Sequence, residues 1–270
     1  MKQSTYFLSL ALLAAASNTW ADDDDRRDVD EAFVASASGQ FGKVDLKTGA
    51  FMPIGFTPEV LSGLVFAGQE KIYGLNADSN LVTFNPQTTA TTIVGNIGLP
   101  IATNGNVTLF TSLGNRRLFA LDPFNRLYSI RPSTGQATLI GSTGVPVPNF
   151  DTCNCVTANS LAGAEGHLYL TFEVDDLASG KPTTPSALYR IDSYTGAATH
   201  VGATHAHAPI VGSGFIEGRL YGFTFGMPVN QPNQILAIHL ETGSATFITN
   251  QATNLDPVFA AIRVTVRGRN

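Results

Sequence analysis

Apolar and polar residues alternate along most of the chain in short runs of five or six, which is the pattern of half-buried β-strands. A representative stretch is "LYSIRPSTGQATLIGSTG", from Leu127 to Gly144, in which two such runs flank a turn. Gly135 occupies the turn position that needs a positive φ, so the stretch predicts a β-hairpin. No run of helical period follows the first twenty residues. The pattern therefore indicates an all-β protein.

The same hairpin phrase occurs five times. The copies read "FGKVDLKTGAFMPIG", "LVTFNPQTTATTIVG", "LYSIRPSTGQATLIG", "LYRIDSYTGAATHVG" and "ILAIHLETGSATFIT", with turn threonines at Thr48, Thr88, Thr134, Thr195 and Thr242. The spacings are 40, 46, 61 and 47 residues, and a period in the forties is typical of propeller blades. Thr89 replaces the turn glycine in the second copy, so we expect that turn to be looser.

A second repeat lies between the hairpins and supplies two further strands to each unit. It includes "QEKIYGL", "NRRLFAL", "EGHLYLTF" and "EGRLYGFTF", each preceded by another apolar run. Four complete units result, at about residues 60–98, 105–144, 157–203 and 209–252. The N-terminal part supplies three more strands and Pro257–Arg267 supplies one, so we predict a fifth four-stranded blade closed by both chain ends. The alternative to this five-bladed β-propeller is a six-bladed ring, if residues 144–160 contain further strands.

These phrases, roughly "LYxIDxxTGxATxIG", resemble the blade repeats of secreted bacterial β-propeller proteins, most of which are uncharacterised. The resemblance extends from about Glu31 to Arg267 and implies a propeller scaffold without assigning catalytic residues. The tryptophan–aspartate signature of intracellular propellers does not occur, since the only tryptophan is Trp20. We therefore expect a single propeller domain at residues 31–267.

The N-terminus predicts export. Lys2 precedes an apolar run from Tyr6 to Ala16, and Thr19 and Ala21 place small side chains where signal peptidase requires them. We expect a signal peptide at residues 1–21, cleavage after Ala21, and a secreted or periplasmic protein. The apolar run is too short to span a bilayer, and no other segment is long enough. The following residues 22–30, "DDDDRRDVD", predict a disordered acidic tail.

The charge balance restricts the partners. The net charge of the 270-residue chain is −5, which disfavours binding to a phosphate backbone, so we expect no nucleic acid. We expect a monomer whose partner is a glycan, a peptide or a protein.

Insertions in the fourth unit mark the candidate site. They are the linker into the unit, Val145–Asn159, and the loop inside it, Glu173–Ser186. In a propeller, these segments and the outgoing linker Ala203–Pro209 lie on one face, opposite the threonine–glycine turns, and function usually resides on loops. The candidate ligand-face residues are Asp151, Glu173, Asp175, Asp176, His205 and His207.

Cys153 and Cys155, the only cysteines, predict a small disulfide in an exported protein. Free thiols and a metal or redox site are the alternatives. His205 and His207 would face the same way on an extended segment, and two imidazoles with two thiolates suit copper or zinc. The simpler interpretation is a pair of exposed loop histidines.

Most of the carboxylates in linkers and in the long loop are expected to be solvated charges, although a few of them would suit calcium; they are Glu59, Asp151, Glu173, Asp175, Asp176 and Asp256. The predicted innermost strands, such as "GLVFAG", "VTLFTS" and "IVGSGF", contain no Asp or Glu, whereas glycoside hydrolysis needs two opposed carboxyl groups. The favoured function is a non-catalytic binding module that uses loops on one face. The alternative is a hydrolase or metal-dependent enzyme on the rim of the fourth blade. No cofactor is firmly implied.

Overall fold

Twenty β-strands form five four-stranded antiparallel sheets, which are the blades of a five-bladed β-propeller. The computed structural model describes residues 31–67, 71–99, 108–114, 117–149, 152–176, 179, 181–226 and 231–263. The predicted signal peptide, the predicted acidic tail, residues 264–267 of the predicted domain and Asp151 lie outside these ranges. Within them there is no helix, and so none that could cross a membrane.

The strands of each blade run outwards from the central axis in the following order. Blade 1 contains β20 (Val258–Arg263), β1 (Glu31–Ser36), β2 (Gln40–Asp45) and β3 (Phe51–Phe56). Blade 2 contains β4 (Leu61–Phe66), β5 (Ile72–Asn76), β6 (Asn80–Phe84) and β7 (Thr91–Asn96). Blade 3 contains β8 (Leu109–Leu113), β9 (Arg117–Leu121), β10 (Arg126–Ile130) and β11 (Ala137–Ser142). Blade 4 contains β12 (Cys155–Ala164), β13 (His167–Asp176), β14 (Lys181–Ile191) and β15 (Ala198–Ala203). Blade 5 contains β16 (Ile210–Ile216), β17 (Arg219–Thr224), β18 (Gln234–Ile238) and β19 (Ala245–Asn250).

Blade 1 closes the ring, because it combines β20 from the C-terminal part of the chain with β1, β2 and β3 from the N-terminal part. β20 pairs antiparallel with β1, placing Val34 opposite Ala261. The predicted closure and the predicted number of blades are therefore confirmed. The six-bladed alternative is wrong, because the described part of residues 144–154 contains no strand.

The apolar core lies in the five seams between neighbouring blades. Each hydrophobic cluster combines side chains from two adjacent blades, as Leu127 of blade 3 and Leu168 and Leu170 of blade 4 do in one seam. Because a four-stranded sheet has two apolar faces, stacking against both neighbours removes both faces from water.

The hairpin phrase also joins the blades at their outer strands. The Thr195–Gly196 turn of blade 4 lies so close to Gly141 of blade 3 that a methyl group on Gly141 would overlap the Thr195 carbonyl oxygen. Just after this turn, the Ala198 N–H donates to the Thr143 carbonyl oxygen at 2.9 Å. The equivalent pairings are Gly55 with Thr89, Gly95 with Thr134 and Gly135, Gly202 with Thr242 and Gly243, and Asn250 with Gly49.

The second copy of the turn keeps this geometry without its glycine. Thr89 has a φ of 58°, in the left-handed region that β-branched residues resist. The hydrogen bond from the Thr88 N–H to Asn85 Oδ1 is 3.2 Å long, compared with 2.8 Å for its equivalent from Thr48 to Asp45. The threonine is accommodated by backbone strain and a longer hydrogen bond.

Replacing Thr89 by glycine should relieve this strain. We expect Thr89→Gly to raise the free energy of unfolding by about 1 kcal/mol, as measured by urea denaturation. The matched control is Gly135→Thr, which introduces the same strain and also brings a Cβ to 2.6 Å from the Gly95 carbonyl oxygen. That variant should lose roughly 2 kcal/mol or more. A destabilising Thr89→Gly, or a neutral Gly135→Thr, would contradict this account of the turn.

Candidate functional site

Blade 4 departs from the other blades on the face that carries the inter-blade linkers. Its strands β12, β13 and β14 have 10, 10 and 11 residues. The strands of the other blades have five to seven. The additional residues, 155–158, 173–176 and 181–186, form a projection that we call the rim. The predicted insertion is confirmed in position, but the segment Glu173–Ser186 was wrongly predicted as a loop, since β13 and β14 pair as far as Asp176 and Lys181.

The rim part of β14 is an edge, because β15 pairs only with residues 187–191 of that strand. Pro182 and Pro185 lie in this part of β14, whose outer side has no neighbouring strand, and both are exposed. Proline has no N–H to donate to the carbonyl groups of an additional strand. Prolines are therefore suited to an edge and protect it from further pairing. The sequence of the rim is therefore consistent with an extended, solvent-facing projection.

A disulfide fixes the incoming linker to the rim. Cys153 and Cys155 are bonded to each other, which agrees with the predicted pairing. Cys155 belongs to the apolar cluster of the seam between blades 3 and 4, and Cys153 and Val147 of the linker pack against that cluster. Since the two sulfur atoms are bonded together, neither is a thiolate ligand in this state.

The opposite side of the rim buries two carboxyl groups. Glu173 and Asp175 alternate along β13 on the face that carries Tyr169, whose ring packs in the seam with blade 5. Each residue is only 4% exposed. Next to them on the same face, the hydroxyls of Thr171 and Ser160 lie 2.7 Å apart. The expectation of solvated loop charges was therefore wrong for Glu173 and Asp175.

Burial and proximity change the acidity of this carboxyl pair. Burial, with smaller contributions from a hydrogen bond to Asp175 and from its charge, raises the pKa of Glu173 to about 8, while the Ser186 hydroxyl opposes the shift. Burial also raises the pKa of Asp175, and the hydrogen bond from Glu173 opposes that shift. Asp175 Oδ1 has no hydrogen-bond partner. The pair therefore retains a proton at neutral pH, with protonated Glu173 as the donor.

Asp176 does not join this pair. Its Oδ1 accepts hydrogen bonds from the Ser179 N–H at 2.7 Å and from the Ser179 hydroxyl at 2.9 Å. Because side chains alternate along a strand, Asp176 lies on the other face from Glu173 and Asp175. It stabilises the turn at the end of the rim.

The outgoing linker begins beside the rim and exposes both of its histidines. The Thr204 N–H donates to the Ser186 carbonyl oxygen at 2.9 Å, which ties the linker to β14. His205, with a φ of 53°, and His207 are both exposed. Ala206 between them packs against the cluster of the seam between blades 4 and 5.

The structure does not bring the cysteines and the histidines together. The disulfide contacts the seam on one side of blade 4, whereas the His205–His207 segment contacts the seam on the other side. In the described ranges, no three His, Cys, Asp or Glu side chains converge as a metal cluster would require. A copper or zinc centre made of Cys153, Cys155, His205 and His207 would need the disulfide to open and the chain to rearrange.

The central channel is a cavity of about 410 Å³. It is lined mainly by small residues and hydroxyls of the innermost strands, including Ser62, Ser112, Ser160 and Ser213. Charged groups occur only among its turn and strand-end residues, namely Glu165, Glu217 and Arg263. Sequence analysis did not select these three, although the two "EG" turns stand at equivalent places in blades 4 and 5 and have positive φ at Glu165 and Glu217.

Comparisons with known proteins support the fold alone. No family model and no curated protein matches the chain. A protein of unknown function from Bacteroides thetaiotaomicron is similar in structure with a TM-score of 0.51 and 10% sequence identity, over 83% of this chain and 59% of that one. Another protein of unknown function, from Bacteroides caccae, gives a TM-score of 0.44 and 8% identity over 86% and 97% of the two chains. The chain thus spans little more than half the length of the Bacteroides thetaiotaomicron protein.

The buried carboxyl pair predicts a stability that falls as the pH rises. Between about pH 4.5 and 8, folded Glu173 keeps a proton that the unfolded chain has released. The free energy of unfolding should therefore decrease by up to about 1.4 kcal/mol per pH unit in this interval. Glu173→Gln stays neutral and should flatten the decrease in urea unfolding measured from pH 5 to 8.5 in metal-free buffer. Glu241→Gln, at an exposed carboxyl, is the control. Parallel profiles for wild type and Glu173→Gln would contradict the assignment.

Proposed function

We propose that the chain is an exported, non-catalytic binding module that holds a glycan, a peptide or a protein surface at the rim of blade 4. The observation that supports this proposal most strongly is the rim itself, the one place where the strands of a blade extend beyond the regular length in the described part of the chain. A projection that the ring does not need for closure is suited to contact with another molecule.

The surface of the rim supports a polar ligand. The two linker histidines His205 and His207 are exposed, and they offer imidazole groups for hydrogen bonding. Thr183 and Thr184 are also exposed, but their hydroxyls already bond the main chain of Val174. The disulfide on one side and the Thr204–Ser186 hydrogen bond on the other hold both adjoining linkers in place. A pre-ordered surface loses less conformational entropy when it binds.

The alternative, a hydrolase or metal-dependent enzyme on the same rim, has weaker support. Hydrolysis of a glycoside needs two carboxyl groups on opposite sides of the scissile bond. Glu173 and Asp175 instead lie two residues apart on one strand and are buried in its face towards blade 5. This arrangement leaves no space for a sugar between them.

Binding can be tested with the purified, fluorescently labelled chain on arrays of bacterial and plant polysaccharides and on random peptide arrays. The proposal predicts saturable binding to one of these classes without turnover of the bound ligand. The double variant His205→Ala/His207→Ala should weaken that binding at least tenfold. The matched control is His239→Ala, which removes an exposed imidazole from a threonine–glycine turn on the opposite face.

Three outcomes would contradict the proposal. They are no binding on either kind of array, cleavage of the bound ligand, and binding that His239→Ala reduces while the double variant does not. Folding of each variant is verified beforehand by its circular dichroism and its urea midpoint.

A further inference from the structure

Three oxygen-bearing side chains converge inside the rim. Glu173 and Asp175 point from β13 to the same side, and the Ser186 hydroxyl of β14 lies beside Glu173. All three residues are more than nine-tenths buried, with exposures of 4%, 4% and 7%. The buried side of these two paired strands therefore carries a group of oxygen atoms.

Two of these oxygen atoms lack a hydrogen bond of good geometry. Asp175 Oδ1 has none, and the Ser186 hydroxyl lies close enough to Glu173 to act on its pKa but does not meet the geometry of a hydrogen bond. Buried polar atoms in folded proteins are nearly always satisfied by a donor, an ordered water or an ion. Buried charges in particular are paired with an opposite charge, coordinate a metal or are neutralised by a proton, and in the ion-free chain the proton that Glu173 keeps serves this purpose. Among the salt bridges of the described side chains, none involves Glu173 or Asp175.

We propose that Glu173, Asp175 and Ser186 form a binding site for a hard divalent cation of the calcium type. The donor set consists of oxygen alone, which suits calcium and disfavours copper and zinc, since these prefer nitrogen and sulfur. Calcium binding would release the proton that the ion-free pair keeps to the solvent, after which the two carboxylates supply up to four ligand atoms and the hydroxyl supplies a fifth. Water and main-chain carbonyl groups complete the six to eight ligands that calcium takes.

The proposed site predicts modest affinity and a defined structural effect. The site has two carboxylates, and among the described residues no third acidic, histidine or cysteine side chain joins them. It therefore resembles the weak calcium sites of extracellular modules. A cation held between Glu173 of β13 and Ser186 of β14 would cross-link the rim where β14 has no outer neighbour. This site does not depend on which ligand the rim binds, so it stands or falls separately from the proposed function.

Calcium binding is measured by isothermal titration of the chelator-treated chain with CaCl₂, and by thermal unfolding. We expect one site with a Kd of about 0.1–1 mM. We also expect a rise in Tm of roughly 3–5 °C at 10 mM calcium. Asp175→Asn and Glu173→Gln should each weaken binding at least tenfold. The matched control is Asp176→Asn, which removes the same charge from the other face of the strand and should leave the Kd unchanged.

The proposal is overturned by any of three results. One is the absence of both heat and a Tm shift with calcium, while the wild-type chain is folded by circular dichroism. Another is equal weakening by Asp176→Asn and Asp175→Asn, which would place the ion outside the buried pair. The third is binding of MgCl₂ as tight as that of CaCl₂, which would contradict a calcium-type site. Rim variants that still bind their polysaccharide or peptide after calcium binding is lost would show that the two properties are separate.

Discussion

The close approach between the threonine–glycine turn of each blade and the outer strand of the preceding blade is the contact on which the ring depends. At Gly141, no side chain fits beneath the Thr195–Gly196 turn, and the neighbouring main chains are joined by the hydrogen bond from Ala198 to Thr143. The threonine–glycine turn of each hairpin phrase thus contacts the preceding blade, and the glycine near the end of the phrase, such as Gly141, receives the turn of the following blade. This explains why the phrase recurs once per blade.

Because the ring is closed by these junctions and by the apolar seams, the linker-bearing face can vary without loss of the scaffold. Blade 4 uses this freedom by extending three strands into the rim. One side of the rim is covered by the incoming linker and its disulfide, and the other side buries Glu173 and Asp175. The apolar side stabilises the projection, whereas the acidic side buries two carboxyl groups with raised pKa values, a combination that is frequent at functional sites.

The sequence predicts the scaffold well and the site only in part. Turn glycines and alternating apolar runs repeat five times, so the number of blades and their closure follow from local patterns. The acidic residues were harder to place, since charge alone suggested a loop. The alternation in "FEVDD", with Phe172 and Val174 on one face, was the local signal for a strand. The burial of Glu173 and Asp175 has no such signal, because it depends on contacts between segments that are distant in the sequence, such as the hydrogen bond that joins the Thr204 linker to Ser186 of β14.

The junction between blades is tested most directly by comparing Gly141→Ala with Gly144→Ala in urea unfolding. A Cβ at Gly141 overlaps the Thr195 carbonyl oxygen, whereas a Cβ at Gly144 has no neighbour within 4 Å and meets only the strain of a φ of 74°. We predict that Gly141→Ala lowers the free energy of unfolding by about 3 kcal/mol. The loss for Gly144→Ala should be about 1 kcal/mol. Equal losses, or a stable Gly141→Ala chain, would contradict the role assigned to the repeated phrase.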